Sequence, residues 1–210
     1  QDLQTAVAFA EPGDKIEVLR DIELESPLTI SKDITIYSKK DYWLKCADKN
    51  TEGAIIADGS AVCTIKGMYI LGNDKISSGN TVRVSGSAAL TLENICVTGQ
   101  NGESTKAALV NDSRLNCINV KVVGNRGDKG GGIYNTGILV LQDSRVEKNH
   151  ASTAGGGIYN TGTLSILNSQ IRDNRSEKNG GGIFNEGTID FESGNINSNS
   201  TETAGAGVYN

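Results

Sequence analysis

Short runs in which apolar and polar residues alternate recur along most of the chain. In the run LSILNSQIRDN, for example, Leu164 and Ile166 flank Ser165, and Ile171 follows after a turn. A period of two indicates strands that bury one face. Turn residues such as Asn-Thr-Gly and Asn-Ser separate the runs, and no intervening stretch is long enough for a helical crossover. The pattern predicts three short strands per unit, near 131–134, 139–141 and 144–147.

A block of six residues repeats every 25 residues in the second half of the chain. It reads GGGIYN at Gly130–Asn135 and Gly155–Asn160, GGGIFN at Gly180–Asn185 and GAGVYN at Gly205–Asn210. A unit of this length and strand content buries its apolar face only by stacking on copies of itself. We therefore predict an all-β fold, a right-handed, single-stranded parallel β-helix (a solenoid) of about eight coils of ~25 residues.

The repeats become regular only after the first third of the chain, which suggests internal divisions within a single domain, 1–210. We predict an N-terminal cap at 1–13, irregular coils at 14–80 with a loop insertion at 39–53, and regular repeats at 81–210. The insertion contains the single tryptophan, Trp43.

The two ends of the predicted solenoid differ. At the front, Asp2 is placed to cap a short helix in which Leu3, Val7 and Ala10 share one face. At the back, the last repeat ends at Asn210 without an atypical unit. Because an open solenoid end exposes unpaired strand groups, we expect either a fragment of a longer chain or end-to-end self-association.

Aligning the repeats gives columns of residues that stack along the axis. The column of Ile133 is apolar throughout and is predicted to point inward, whereas the neighbouring aromatic and glycine columns are predicted to point outward. The aromatic column is Tyr134, Tyr159, Phe184 and Tyr209, and the glycine column is Gly132, Gly157, Gly182 and Gly207. Rings beside a bare backbone strip would form a shallow groove for a sugar or a peptide. Alternatively, the rings stack on each other and stabilise the sheet.

A second column is polar and is predicted to be structural. It contains Asn125, Asn149, Asn174 and Asn199, preceded by Gln100. Asparagines stacked at a turn can bond each other's side-chain amides along the axis, which satisfies buried polar groups.

Composition limits the classes of partner. The net charge is −5, and charges of both signs are scattered rather than gathered into a basic stripe, which argues against nucleic-acid binding. No apolar run approaches 20 residues, so no membrane span is expected. The chain begins with Gln1 instead of Met, and we expect a leader to have been removed.

The cysteines do not form a metal site. There is no CxxC motif and only one histidine among the 210 residues, so neither a metal nor another cofactor is predicted. The four cysteines are Cys46, Cys63, Cys96 and Cys117. Cys63 and Cys117 replace leucine at inward positions two coils apart, which favours free buried thiols over a disulfide. Cys46 falls in the predicted insertion, and its state stays open.

No column stacks two acidic residues, as a polysaccharide lyase or hydrolase on this fold would require. Glu147 beside Arg172 is interpreted as a surface ion pair, and His150 as a lone turn residue. No catalytic residue is therefore assigned. Three sequons, at Asn111, Asn174 and Asn199, are expected to be incidental.

The repeat GGGIYNTGTLSILNSQIRDN at Gly155–Asn174 resembles the repeats of the polymorphic outer-membrane proteins and related adhesin-like surface proteins. Its GGG-I stands for that family's GGA-I motif, and Ile171–Asn174 for its F-x-x-N motif, with Ile in place of Phe. The opening Leu3–Ile36, with its Pro-Gly-Asp turn, looks like the start of secreted, pectin-lyase-like β-helix domains. The resemblance implies a bacterial, extracellular or cell-surface protein that adheres to another surface without catalysis.

Three functions follow as hypotheses. The first is an adhesin or stalk module that binds a glycan or a protein on a host or neighbouring cell. The second is a polysaccharide lyase or hydrolase fragment, whose site would lie among Asp41, Lys45, Asp48, Glu52, Asp58 and Lys66. The third is a structural filament module that stacks through its ends.

Overall fold

The computed structural model describes residues 2–102 and 106–210. Nearly all of this chain is parallel β-structure wound into about 7 turns of a solenoid, which confirms the predicted fold class. Its strands form one 13-stranded, one 8-stranded and one 4-stranded sheet. The number of turns is slightly lower than the predicted eight.

The front coils contain one helix and eight strands, most of them only three residues long. In chain order these are α1 (Leu3–Phe9), β1 (Lys15–Glu17), β2 (Ile22–Leu24), β3 (Leu28–Ile30), β4 (Thr35–Cys46), β5 (Ile55–Ala57), β6 (Val62–Leu71), β7 (Val82–Val84) and β8 (Ala89–Thr98).

The regular coils continue the same order with shorter strands. They are β9 (Leu109–Asn111), β10 (Arg114–Ile118), β11 (Lys121–Val123), β12 (Arg126–Lys129), β13 (Ile133–Asn135), β14 (Ile138–Gln142), β15 (Arg145–Glu147), β16 (His150–Ala154), β17 (Ile158–Asn160), β18 (Thr163–Leu167), β19 (Ser169–Arg172), β20 (Arg175–Ser176), β21 (Ile183–Asn185), β22 (Thr188–Phe191), β23 (Gly194–Asn197), β24 (Ser200–Thr201) and β25 (Val208–Tyr209).

The core is a set of aliphatic columns that run along the axis. Ile133, Ile158 and Ile183 are fully buried and in register, as the alternation predicts. Leu139 and Leu164 stack in the same way in the 13-stranded sheet. Because every coil contributes equivalent inward residues, neighbouring coils supply most of the contacts that hold each coil in place.

The N-terminal helix caps the first coil as predicted. The Asp2 carboxylate accepts a hydrogen bond of 2.7 Å from the backbone N–H of Thr5, and Leu3 and Val7 are buried. Lys32 Nζ donates to the carbonyl oxygens of Ala8 and Ala10, which fastens the end of the helix to the first coil. No helix in 2–102 or 106–210 has the length and apolar character needed to cross a membrane.

The predicted loop insertion at 39–53 is wrong over its first half. Strand β4 runs through to Cys46 and pairs with β6 on both sides of an irregularity between Tyr37 and Tyr42. Buried and exposed residues still alternate after the irregularity, since Leu44 and Cys46 are fully buried. The extra residues therefore form a bulge within one long strand, and only 47–54 connects β4 to β5.

The regular coils contain a further short strand that the prediction of three per unit missed. It forms the 4-stranded sheet β12-β16-β20-β24. These strands are short and polar, and their buried positions hold small residues such as Gly127, Ala151 and Ser176. Small inward residues give no apolar alternation, so a pattern of large aliphatic residues cannot reveal them.

Candidate functional site

The four predicted aromatic residues form a continuous stack on the outer face of the 8-stranded sheet, which we call the aromatic ladder. Ring centroids are 5.2 Å apart for Tyr134–Tyr159, 4.8 Å for Tyr159–Phe184 and 5.1 Å for Phe184–Tyr209. The rings of the first pair are nearly parallel, with an angle of 2° between their planes. Parallel β-pairing imposes this spacing, because each ring sits directly above its counterpart on the next strand. In the interior of the ladder the rings therefore stack on each other, as the second of the two interpretations of this column expected.

The glycine column does not provide the floor of a groove beside these rings, contrary to the outward placement predicted for it. A Cβ atom built on Gly157 would lie 2.9 Å from Nδ2 of Asn174 and 2.8 Å from the carbonyl oxygen of Gly182. Gly157 thus faces the buried asparagine column. The strand begins only at Ile158, so the alternation that fixes the ring direction does not extend back to this glycine. Only glycine fits so close to the next coil.

The run of aromatic rings stops at Tyr134, the end of the ladder nearest the N-terminus. One face of Tyr134 is covered by Tyr159, whereas its neighbour on the preceding strand is Val110, which has no ring. Tyr134 and Val110 line a cleft of about 310 Å³. The other lining residues are Asn80, Arg83, Lys106, Ala107, Asp112, Asp128 and Lys129. We call this feature the ladder-end cleft. An aromatic face beside an open, polar cleft is typical of sites that hold sugars.

Charged groups of both signs surround the ladder-end cleft. Arg83 Nη2 lies 2.9 Å from Oδ2 of Asp112, and both side chains are partly exposed. Asp112 also accepts a hydrogen bond of 3.1 Å from the hydroxyl of Thr136. Lys129 Nζ lies 4.9 Å from the centroid of the Tyr159 ring, within cation–π range. The cleft therefore offers hydrogen-bond donors and acceptors around one ring face.

Asp128, which also lines the cleft, is fixed by the next coil. Its carboxylate accepts hydrogen bonds from the hydroxyls of Ser152 and Thr153. Sequence analysis missed Arg83, Asp112, Asp128 and Lys129 as site residues. Arg83 lies in the outward column itself, in register with Val110 and Tyr134. Asp112, Asp128 and Lys129 belong to other columns and join Arg83 around the same cleft. The available signal was the order Arg83, Val110, Tyr134 along the outward column, where the aromatic run begins.

The interior rings of the ladder are held in place by polar contacts as well. The hydroxyl of Tyr159 donates to Oε2 of Glu186 at 2.9 Å. Burial, the hydrogen bond to Glu186 and the charge of that carboxylate raise the pKa of Tyr159 to about 12. Its side chain is 5% exposed, so neither its ring faces nor its hydroxyl is available to a ligand.

The asparagines of the polar column are joined by side-chain hydrogen bonds along the axis. Asn149 Nδ2 donates to Oδ1 of Asn174 at 3.1 Å, and Asn174 Nδ2 donates to Oδ1 of Asn199 at 3.0 Å. Asn125 makes the equivalent bond to Asn149. Gln100, at the head of the column, instead accepts from the backbone and the hydroxyl of Thr81. The side-chain amides of the buried asparagines donate and accept within the column, so they are not available to a ligand.

A second asparagine ladder escaped the sequence analysis, although its residues end each six-residue repeat. Its members are Asn111, Asn135, Asn160, Asn185 and Asn210, bonded in sequence through their side-chain amides. Of the three sequons, Asn111 and Asn174 are buried with their amides bonded. In the folded chain these two nitrogens are inaccessible to modification.

Two of the residues considered for catalysis, Lys45 and Asp58, have partners outside that group. Lys45 pairs with Glu23 across 4.0 Å, whereas Asp58, beyond the end of β5, accepts a hydrogen bond from the hydroxyl of Ser85. Hydrogen bonds from the backbone of Gly59 and from Ser85 lower the pKa of Asp58. Within 2–102 and 106–210, no three His, Cys, Asp or Glu side chains are grouped so as to hold a metal ion.

Glu147 is not the surface ion pair predicted from the sequence. It is 3% exposed and lies between two cations, Lys121 Nζ at 2.9 Å and Arg172 Nη2 at 2.6 Å. The prediction failed because it considered only the column of Glu147. Lys121 belongs to the neighbouring outward column, one coil earlier, and its long side chain reaches across.

His150 lies in register between Arg126 and Arg175, with Nε2 3.3 Å from Glu177 Oε1. Burial and the two arginines lower the pKa of His150, against the opposing effect of Glu177. His150 thus lies between two arginines of neighbouring coils, with the carboxylate of Glu177 as its acidic neighbour.

The comparisons with known proteins add no relative. No protein-family model, curated protein or solved structure matches the chain.

Proposed function

We propose that this chain is a non-catalytic binding module of a secreted or cell-surface protein, an adhesin or stalk that holds a glycan or a protein at the ladder-end cleft. The observation that carries the proposal is the position of Tyr134, a half-buried ring that ends the aromatic ladder and lines a cleft of about 310 Å³ beside Arg83 and Lys129. A ring face packs on the C–H groups of a sugar, and the flanking charges and amides bond its hydroxyls.

The rings of the ladder have two roles in this proposal: the interior rings stack, and Tyr134 lines the cleft. Tyr159 and Phe184 have a ring on each face, so they contribute stacking rather than contacts to a ligand. The stack in turn holds Tyr134 in a fixed orientation, which lowers the entropy cost of binding at the cleft.

The solenoid suits presentation of a site away from its anchor. Seven turns at a strand spacing of ~4.8 Å give a rod roughly 34 Å long. The asparagine ladders and buried columns hold each coil against the next, so the rod is stiff. The resemblance of the repeats to those of adhesin-like surface proteins supports an extracellular location and an adhesive role.

The test is a binding screen of the purified chain over a broad array of glycans and matrix proteins. Tyr134→Ala removes the ring that faces the cleft, and Phe184→Ala is its matched control, because it removes an outward ring whose faces are both covered. Both variants lose stacking, so thermal unfolding is measured in parallel to exclude a general loss of folded protein.

We expect Tyr134→Ala to abolish a binding signal that Phe184→Ala retains. An equal loss in both variants would mean that binding depends only on the integrity of the ladder, and the site would be refuted. The absence of binding to any probe by the unmodified chain would reduce the module to a spacer and overturn the proposed function.

A further inference from the structure

The ladder-end cleft lies beside an irregularity in the pairing of β12 with β16. Gly127 pairs with Ala151 and Lys129 with Ala154, so one residue of β12, Asp128, lies opposite two residues of β16. In a regular strand Asp128 and Lys129 would point to opposite faces of the sheet. A bulge interrupts that alternation, and here both side chains line the cleft. The bulge thus brings a carboxylate and an ammonium group to the same cleft.

Asp128 has one carboxylate oxygen that is fixed and one that is free. The two residues opposite it, Ser152 and Thr153, both donate their hydroxyls to Oδ1. Among residues 2–102 and 106–210, no side chain or backbone group donates a hydrogen bond to Oδ2, and no cation forms an ion pair with this acid. The carboxylate is therefore held in position and keeps an oxygen that can accept a hydrogen bond from a ligand.

Lys129 is the corresponding donor. Its side chain is exposed, and Nζ lies 4.9 Å from the centroid of the Tyr159 ring. No carboxylate in the described part of the chain forms an ion pair with Lys129. Arg83, in contrast, is already paired with Asp112 at 2.9 Å. The ammonium group of Lys129 is therefore available to an acceptor on a ligand.

One kind of ligand group satisfies both charges. An ionised carboxylate only accepts hydrogen bonds, and an ammonium group only donates them. A carboxylate or sulfate on the ligand would give Asp128 no donor, and an ammonium group on the ligand would face the like charge of Lys129. A hydroxyl both donates and accepts, so two neighbouring hydroxyls of one ligand can bond Asp128 and Lys129 together.

The ring and the size of the cleft favour a sugar as the carrier of these hydroxyls. The half-buried ring of Tyr134 lines the same cleft, and a sugar presents a C–H face to a ring while its hydroxyls point sideways. The cleft volume of about 310 Å³ is at the lower end of the range of small-molecule sites, roughly 300–1,000 Å³. A stable protein interface instead buries about 800 Å² on each partner. The cleft therefore suits the end of a glycan.

We propose that the ladder-end cleft binds a neutral sugar unit at the end of a glycan, whose ring packs on Tyr134 while two adjacent hydroxyls bond Asp128 Oδ2 and Lys129 Nζ. The inference rests on the function proposed for this cleft, and it narrows the ligand from a glycan or a protein to a neutral glycan. Asp128 and Lys129 determine the specificity, because they distinguish hydroxyls from other groups and the ring does not.

The test is a titration of the full chain with the methyl glycosides of glucose, galactose and mannose. Ligand-observed NMR follows the binding, since it detects the weak affinity of single sugar units. The matched ligand for each glycoside is its tetra-O-methyl derivative, which keeps the ring but has no hydroxyl to donate. A preference among the three sugars identifies the orientation of the two hydroxyls.

Two variants separate the acceptor from the donor. Asp128→Asn keeps Oδ1 for the two hydroxyls of β16 but puts an N–H donor in place of the free acceptor oxygen. Lys129→Gln removes the ammonium group. The matched controls are Asp190→Asn and Lys178→Gln, the same changes at exposed residues outside the cleft. Thermal unfolding of each variant checks that it is folded.

We expect at least one methyl glycoside to bind and its methylated derivative not to bind. Asp128→Asn should weaken binding about tenfold or more, as the loss of a charge-assisted hydrogen bond implies, and Lys129→Gln should weaken it about fivefold or more. The two control variants should stay within about twofold of the unmodified chain.

Three results would overturn the inference: no binding of any methyl glycoside, equal binding of the methylated derivatives, or an equal loss in Asp128→Asn and Asp190→Asn. If the chain binds a protein of the array and Tyr134→Ala abolishes that binding, while no glycoside binds, the inference fails and the proposed function stands. Glycoside binding that Tyr134→Ala leaves unchanged would refute both.

Discussion

The guanidinium of Arg172 and the carboxylate of Glu147 lie 2.6 Å apart on adjacent coils, and the carboxylate is buried although the guanidinium is partly exposed. Lys121 approaches the same carboxylate from the coil on the other side, at 2.9 Å. A single buried acid thus ties three consecutive coils together. The cost of its burial is offset only while both cations remain in contact.

Glu147→Gln should lower the free energy of unfolding at pH 7 by about 1–3 kcal/mol, since the charge-assisted contacts to Lys121 and Arg172 are lost. Burial raises the pKa of Glu147, but the hydrogen bond and charge of Lys121 together with Arg172 outweigh it, and the net pKa is lowered. The contribution of a carboxylate with a lowered pKa is complete above its unfolded pKa of ~4.3 and is lost as the pH falls through the folded value.

The difference in the free energy of unfolding between Glu147→Gln and the unmodified chain should therefore shrink as the pH falls below about 4. Unfolding in guanidinium chloride at several pH values measures it. The matched control is Glu202→Gln, because Glu202 is 59% exposed and pairs with an exposed Arg175. It should change stability by less than about 1 kcal/mol at any pH. A difference for Glu147→Gln that does not vary with pH would contradict the ionised state assigned to this acid.

The regular coils could be derived from the sequence because one rule operates in them. Alternation fixes which residues point inward, and the 25-residue repeat places equivalent residues in register, so the burial of Ile133 and the stacking of Tyr134 on Tyr159 follow from the letters alone. The rule fails where the chain leaves the strand. Gly157 precedes its strand and therefore faces a direction that alternation does not set.

Part of the ladder-end cleft and the ion pairs of Glu147 depend on contacts between columns, which no single column reveals. Lys129 approaches Tyr159 from a neighbouring strand, and Lys121 reaches Glu147 in the same manner. Sequence columns predicted the aromatic ladder and the first asparagine ladder, but they predicted neither the second asparagine ladder nor the ladder-end cleft.

Asn149→Ala should destabilise the chain by about 3 kcal/mol or more. The Asn149 side chain accepts from the backbone N–H of Asn125 at 3.0 Å and donates to the carbonyl of Val122 at 3.0 Å, besides its bonds to the neighbouring amides. Truncation leaves these buried groups unpaired, at about 1–3 kcal/mol each. The midpoint of denaturant unfolding measures the change.

The matched control for this variant is Asn116→Ala, an asparagine on the outward face of β10. It should change stability by no more than about 0.5 kcal/mol, as surface substitutions usually do. Equal effects of the two variants would show that the amide ladder contributes nothing beyond an ordinary asparagine.

The four cysteines should behave as free thiols of very different reactivity. Cys46, Cys63 and Cys117 are buried and unbridged, and burial raises the pKa of each to about 12. Cys96 is half-buried, and burial raises its pKa as well. Because the thiolate is the reactive form, iodoacetamide at pH 8 should leave the three buried thiols of the native chain unmodified and modify Cys96 slowly.

Mass spectrometry should then count at most one adduct on the native chain and four in denaturant without a reductant. Cys96→Ser should abolish the native adduct and leave the other three denaturant-dependent. Two missing adducts in denaturant would reveal a disulfide, and rapid native labelling of Cys117 would mean that the interior opens. Either result would contradict a solenoid core in which these sulfurs serve as small apolar packing groups between the coils.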